Sequence, residues 1–279
     1  MNKALFSFEI FPPKPDSSID TISKVLKGLS VLLPDYISIT YGTGEMSDGG
    51  SETLKLACKL KNEYKIEPLL HLTAIHNNRE NIDRFLAEMK KNGLLNVLAL
   101  RGDRHKDKPV SKDFLYASDL IKYIKTKGNF NIAAACCPEG HIESKNLEDD
   151  IKHLKIKVDA GAKHLNSQMC FDNEEFYRFL DRAKGVKIDV PIQAGIMPVV
   201  RAGQIERIIT LSGVKFPGKF SRIIAKYADN PEALRDAGIA YAIEQIIDLL
   251  TSGIDGVHLY VMNNVEVAAR ITEAVKTFL

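Results

Sequence analysis

The chain has 279 residues, 45% of them apolar and 27% charged, with a net charge of +2. That is the make-up of a globular protein able to bury a large core, and it excludes a disordered chain. Its lysines are spread along helical faces, without the basic footprint of a nucleic-acid binder, and no window nears the ~20 apolar residues of a membrane span, so a small-molecule partner is expected, with no membrane or nucleic acid.

In chain order, the apolar run ALFSFEIF (4–11) reads as a strand and SSIDTISKVLKGL (17–29) as a helix. YISITYG (36–42) precedes SETLKLACKLKNEY (51–64), and EPLLHLTA (67–74) precedes RENIDRFLAEMKKNG (79–93). NVLALRG (96–102) leads to DFLYASDLIKYIKTKG (113–128), NIAAACC (131–137) to LEDDIKHLKIKVDAG (147–161), and HLNSQMC (164–170) to NEEFYRFLDRAKG (173–185). After PIQAGIMP (191–198) comes a long connection from Arg201 to Asp255, broken by KFPGK and ADNPEALRD; GVHLYVMN (256–263) and NVEVAARITEAVKTFL (264–279) close the chain. Several helical segments open on Ser, Asp or Asn and close on Gly, the capping asymmetry of real helices. Eight strand–helix pairs predict an α/β fold, a (β/α)8 TIM barrel forming one domain over 1–279, with extra helices before the last strand. A doubly wound sheet is the alternative, but the Gly-rich turn it would need after the first strand is missing.

In such a barrel the carboxyl ends of the strands build the site. Those ends carry Glu9, Thr40 with Tyr41, His71 with Thr73, Arg101 with Asp103, Glu139 with His141, Gln168 and Asn263. Each alone can be a satisfied structural group, and Arg101 with Asp103 can pin a loop; as a ring they predict a site. Asp172 is expected to cap the helix after it. Glu9 stands out, because burial among Phe8, Phe11, Pro12 and Pro13 would raise its pKa and keep a proton available near neutral pH. Pairing with an arginine across the barrel is the alternative. Cys58, Cys136, Cys137 and Cys170 form no C-x-x-C pair and are expected to be reduced. Cys137 and His141 lack a second ligand pair of zinc-like spacing, so no metal is expected. With no signal-peptide core in MNKALFSFEI, a cytoplasmic location is expected.

The stretches SFEIFPPK, SITYG, HLTAI, ALRGD, YASDLI, PEGH, KVDAGA, SQMCFD, GIMPV and GVHLYVMN, in this order along nearly the whole chain, resemble the methylenetetrahydrofolate reductase family. The resemblance implies a (β/α)8 barrel, FAD as cofactor, and reduction of 5,10-methylenetetrahydrofolate to 5-methyltetrahydrofolate with electrons from NADH or NADPH, a step in one-carbon metabolism and methionine biosynthesis. It implies that Glu9 is the general acid that protonates folate N10, opening the five-membered ring to an iminium at N5. Asp103 would lie between flavin and pterin, and Gln168, Gln204 and Tyr260 would hold the folate. For FAD it points to Thr40, Tyr41, His71, Arg101, Gly102, Asp103, Ala117, Cys137, His141, Asp150, His153 and Lys157. Asp150 and Lys157, at i and i+7, share a helical face.

The chain departs from better-known bacterial members at Cys137, which stands for a tyrosine, and at His153 and Ile156, which stand for an asparagine and an arginine. Asn264 replaces an arginine and Ile208 an aromatic residue. These departures thin the expected contacts to the FAD pyrophosphate, folate and nicotinamide. They leave two alternatives: electrons from a partner protein, or a non-catalytic relative that binds folate or flavin. The family also implies a homo-oligomer, and no regulatory domain is expected after the barrel.

Overall fold

The computed structural model describes residues 3–13, 19–41, 51–104, 109–205, 208 and 213–279. Strands β1 (Leu5–Ile10), β2 (Tyr36–Ile39), β3 (Glu67–Thr73), β4 (Asn96–Leu100), β5 (Asn131–Cys136), β6 (His164–Met169), β7 (Ile192–Ile196) and β8 (Gly256–Tyr260) pair in parallel, in chain order, and close into a barrel. Around them run α1 (Ile19–Ser30), α2 (Ser51–Glu63), α3 (Arg79–Lys91), α4 (Ala117–Thr126), α5 (Leu147–Ala160), α6 (Asn173–Gly185), α7 (Gly218–Tyr227), α8 (Pro231–Thr251) and α9 (Val265–Val275). The predicted TIM barrel is therefore the observed fold, and α7 and α8 are the expected extra helices before the last strand. Both breaks read from sequence start a helix: Pro217 precedes α7, and Asn230 caps α8 by accepting from the Ala233 N–H. Among the described residues no helix is long and apolar enough to cross a membrane.

Side-chain caps fix most helix starts. Asn78, Asn146, Asp172 and Asn264 each accept a hydrogen bond from a backbone N–H in the first turn of the following helix. Neither α4 nor α7 has such a cap, and α4 starts four residues later than expected. There Ser111 Oγ accepts from the N–H groups of Asp113 and Phe114, making a separate turn, and the Asp119 carboxylate holds the N–H of Tyr116 at 3.0 Å. The strands end one to three residues earlier than the apolar runs, which frees Tyr41, Arg101 and Cys137 for the loops at the carboxyl end.

The main apolar core lies between the strands and the helices. Phe6, Phe8 and Ile10 of β1 are all buried in it, and each contributes about 1.5–3 kcal/mol by leaving water. The alternate residues Ser7 and Glu9 turn inward, as the two-residue period of a strand requires. The lumen they enter is polar: its apolar cluster is small (Leu69, Leu98 and Ala133), while Ser7, Ser38, His71, Asn166, Gln193 and His258 are all buried.

Candidate active site

A cavity of about 480 Å³ opens at the carboxyl end of the barrel, within the size range of small-molecule sites. Its floor is Glu9 of β1, flanked by His71 of β3 and by His258 and Tyr260 of β8. The loop after β2 brings Thr40 and Tyr41, the loop after β4 brings Arg101, Gly102 and Asp103, and the loop after β5 brings Cys137 and His141. Gln168 of β6, Ala117 of α4 and Lys157 of α5 complete this part of the wall. Of the strand-end ring read from sequence, Glu9, Thr40, Tyr41, His71, Thr73, Arg101, Asp103, His141 and Gln168 are brought together around one space, and Glu139 and Asn263 are not.

Five predicted residues do not line it: Asn263 binds Phe11, and the Glu139 carboxylate accepts from the Lys215 N–H at 3.0 Å. Asp150 stands behind the wall, where its carboxylate accepts from the His141 N–H at 3.1 Å and from Ser144 Oγ at 2.8 Å, shaping the loop. His153 lies on the outer face of α5 with 58% of its side chain exposed, 4.0 Å from Asp149. Gln204 folds back on its own segment, its Oε1 accepting from the Val200 N–H at 2.9 Å. Among the positions that depart from the family pattern, Asn264 is engaged as the cap of α9, and Ile208 is buried in a second apolar cluster with Phe171, Met197 and Phe220.

Glu9 is 12% exposed and sits 3.4 Å from His71 Nε2 and 3.6 Å from His258 Nε2. Neither sequence-based expectation for it holds. Its partners are histidines and not an arginine, and its pKa is lowered where a raised value was expected. Burial, the largest single influence, does push the pKa up; the nearby polar group of His258, the charges of His71 and His258, and the Ser38 hydroxyl together outweigh it. Burial lowers the pKa of His71, with Glu9 opposing, and His71 Nε2 has no hydrogen-bond partner. His258 is held from both sides: Ser7 Oγ lies 2.7 Å from Nδ1, and Ser38 Oγ 3.3 Å from Nε2.

Arg101 does not pin Asp103 as the sequence allowed. It makes a bidentate pair with Glu143, which raises the pKa of the guanidinium. The loop carrying Asp103 is tied instead by His76, whose ring nitrogens face the carbonyl oxygens of Asp103 and Pro109, each at 2.9 Å. Tyr260 presents its ring to the cavity, because its hydroxyl is engaged by the Ser167 carbonyl at 2.8 Å. Gly195 permits this packing: a Cβ there would lie 2.2 Å from Ser167 O and 2.9 Å from the Tyr260 ring. Asn263, at φ 58°, clasps Phe11 by accepting from its N–H at 2.9 Å and donating to its carbonyl at 3.1 Å.

Sequence reading missed Ser7, Ser38 and His258. A signal existed for Ser7, which lies two residues before Glu9 and so on the same strand face. His258 comes opposite Ser7 only through the β1–β8 register.

The family model described as "Methylenetetrahydrofolate reductase" matches residues 1–276. The 5,10-methylenetetrahydrofolate reductase of Escherichia coli is 32% identical over 265 residues, covering 95% of this chain and 88% of that protein. Methylenetetrahydrofolate reductase 1 of Schizosaccharomyces pombe is 33% identical, covering 94% of this chain, and Methylenetetrahydrofolate reductase (NADH) 1 of Arabidopsis thaliana is 33% identical, covering 92%. The matches take in only 44% and 46% of those two proteins, so the chain spans about half their length. Among solved structures, an uncharacterised protein from Clostridium thermocellum that binds two copies of 5-methyl-5,6,7,8-tetrahydrofolic acid superposes with a TM-score of 0.66 at 17% identity, over 99% of this chain and 95% of that one. That likeness is one of fold. With the family match over nearly all its length, the chain belongs to the methylenetetrahydrofolate reductase family.

Proposed function

We propose that the chain reduces 5,10-methylenetetrahydrofolate to 5-methyltetrahydrofolate, using FAD and electrons from NADH or NADPH. The observation that carries this reading is the buried carboxyl of Glu9, facing His71 and His258 on the floor of the cavity that Asp103, Gln168 and Tyr260 also line.

The residues present suit a flavin. His71 Nε2 is buried at the cavity without a hydrogen-bond partner. Gly102, at φ 85°, exposes backbone at a point where a Cβ would meet Thr73 at 3.0 Å. Arg101 and Lys157 supply positive charge of the kind a pyrophosphate requires. Thr40, Tyr41, Ala117, Cys137 and His141 would complete the flavin's surroundings. Bound FAD would supply the hydride chemistry.

The chain's own contribution is the proton. Glu9 would protonate folate N10, breaking the bond from the methylene carbon to N10 and leaving the carbon as an iminium on N5, ready to accept a hydride. With two imidazoles beside it Glu9 rests as a carboxylate, so it must be loaded before it can act. A substrate that displaces water from the cavity raises the carboxyl's proton affinity, so Glu9 takes up a proton from solvent as the folate binds, while His258 Nε2, at 3.6 Å, holds the carboxyl in place. Asp103 and Gln168 would hydrogen-bond the pterin.

The test is an anaerobic absorption spectrum of the protein with FAD as NADH and then NADPH is added, followed by 5,10-methylenetetrahydrofolate. A flavin that bleaches with a nucleotide and recovers its colour with the folate is the expected result. A bound flavin that neither nucleotide bleaches overturns the direct-donor part in favour of a protein donor. Failure to bind FAD overturns the whole reading.

A further inference from the structure

The lower lumen of a TIM barrel is ordinarily filled by layers of branched apolar side chains. Here it holds a run of hydrogen bonds with a single direction. Gln193 of β7 is fully buried, and its Oε1 lies 2.5 Å from Tyr36 Oη and 2.7 Å from His164 Nε2. Tyr36 Oη accepts from Asn166 Nδ2 at 2.9 Å and gives its own hydrogen to Gln193 Oε1, which is nearer than the competing Asn166 Oδ1 at 3.1 Å. An oxygen facing two donors fixes which way an amide lies. The Gln193 NH2 therefore turns toward Ser7 Oγ at 3.2 Å and the Val257 carbonyl at 3.2 Å.

Ser7, having accepted from Gln193, has one hydrogen to give. His258 Nδ1 is 2.7 Å away; the competing Val257 carbonyl is 3.4 Å away and already engaged by Gln193. A neutral imidazole that accepts at Nδ1 carries its hydrogen on Nε2. Nε2 is the nitrogen that faces Glu9 and Ser38.

We propose that Gln193 is a positioning residue that sets the direction of the Ser7 hydroxyl, and through it the tautomer of His258 presented to Glu9. The hydrogens of His164 and Tyr36 point to Gln193, that of Gln193 to Ser7, that of Ser7 to His258, and that of His258 to Glu9. A carboxylate at position 193 would take the Ser7 hydrogen for itself. His258 would then have to protonate Nδ1 toward Ser7, and its Nε2 would no longer be bound to donate to Glu9 in the neutral ring. The catalytic consequence rests on the proposed role of Glu9 as proton donor; the tautomer does not.

The experiment is a two-bond proton–nitrogen correlation spectrum of 15N-histidine-labelled protein at neutral pH without substrate, with His258 assigned by its loss in His258→Gln. The wild type is expected to show His258 protonated on Nε2 alone, and Gln193→Glu to show protonation at Nδ1. Should the buried charge prevent folding, Gln193→Leu is read instead, and its His258 is expected to lose the single-tautomer pattern. In the steady state, a fall of about tenfold or more in kcat is expected with the KM for folate little changed, the mark of an interaction realised in the transition state. Wild-type His258 protonated on Nδ1, or a tautomer unmoved in the folded variants, overturns the proposal. A chain that fails to reduce folate but shows the expected tautomers sinks only the proposed function.

Discussion

Replacing Glu9 by glutamine keeps the shape of the side chain and removes its proton. A positioned general acid contributes about 10²–10⁴-fold to a rate, or about 3–5 kcal/mol of barrier. The upper half of that range applies here, because the side chain is only 12% exposed and little water can reach N10 in its place. The two half-reactions separate the effect in an anaerobic rapid-mixing experiment. Flavin reduction by the nicotinamide nucleotide should stay within about twofold of wild type, while reoxidation by 5,10-methylenetetrahydrofolate should slow by about 10³-fold. A folded Glu9→Gln variant that reoxidises within about tenfold of the wild-type rate would refute the acid role. The same substitution carries a pH signature. The folded pKa of Glu9 lies below its ordinary value of 4.5, so the ionised group contributes stability above that value, and the contribution is lost as pH falls through the folded pKa. The stability gap between wild type and Glu9→Gln should therefore shrink on acidification from neutral pH to about pH 3, read by thermal melts.

Asn263→Ala removes two hydrogen bonds worth about 0.5–1.5 kcal/mol each and leaves a less suitable residue at positive φ, for a combined loss of about 2–4 kcal/mol in urea titration; an unchanged midpoint would contradict the clasp. Gly195→Ala drives a Cβ against the Ser167 carbonyl and the Tyr260 ring, and should cost about 1–3 kcal/mol, each kcal/mol lowering Tm by about 2–4 °C. Burial pushes the Cys137 thiol up to about 11, so iodoacetamide labelling followed by mass spectrometry should be slow at neutral pH and accelerate with alkali. Rapid labelling at neutral pH would show a thiolate that this environment does not support.

The eight strands were legible because a fully enclosed strand has to be apolar on the face turned to the helices, and that signal is local. Helix starts after Asn78, Asn146 and Asp172 were legible for the same reason, since a cap and its N–H partner lie two or three residues apart. The strand-end rule found Glu9, His71, Asp103 and Gln168, because topology alone places those positions at the mouth. What it could not supply was the company Glu9 keeps. Its chain neighbours Phe8 and Ile10 suggested an apolar setting, yet they face the helices, and the residues that meet the carboxylate arrive from β3 and β8. The direction of the pKa shift was lost with that information. Asp150 shares a helical face with Lys157 as expected, but the turn of the loop after β5 sends its carboxylate to the His141 N–H and not into the cavity.

Glu9 and His258 belong to the first and last strands of the barrel, and they meet only across the β1–β8 seam that Asn263 and Phe11 fasten. On a ribosome, where folding proceeds from the amino-terminal side, β1 waits for almost the entire barrel to be made before its second neighbour, β8, exists. Until then β1 and β7 are open edges, able to pair with other chains. The carboxylate and its imidazole are therefore assembled by the same event that seals the sheet, and a chain halted before β8 has neither a closed barrel nor a furnished floor.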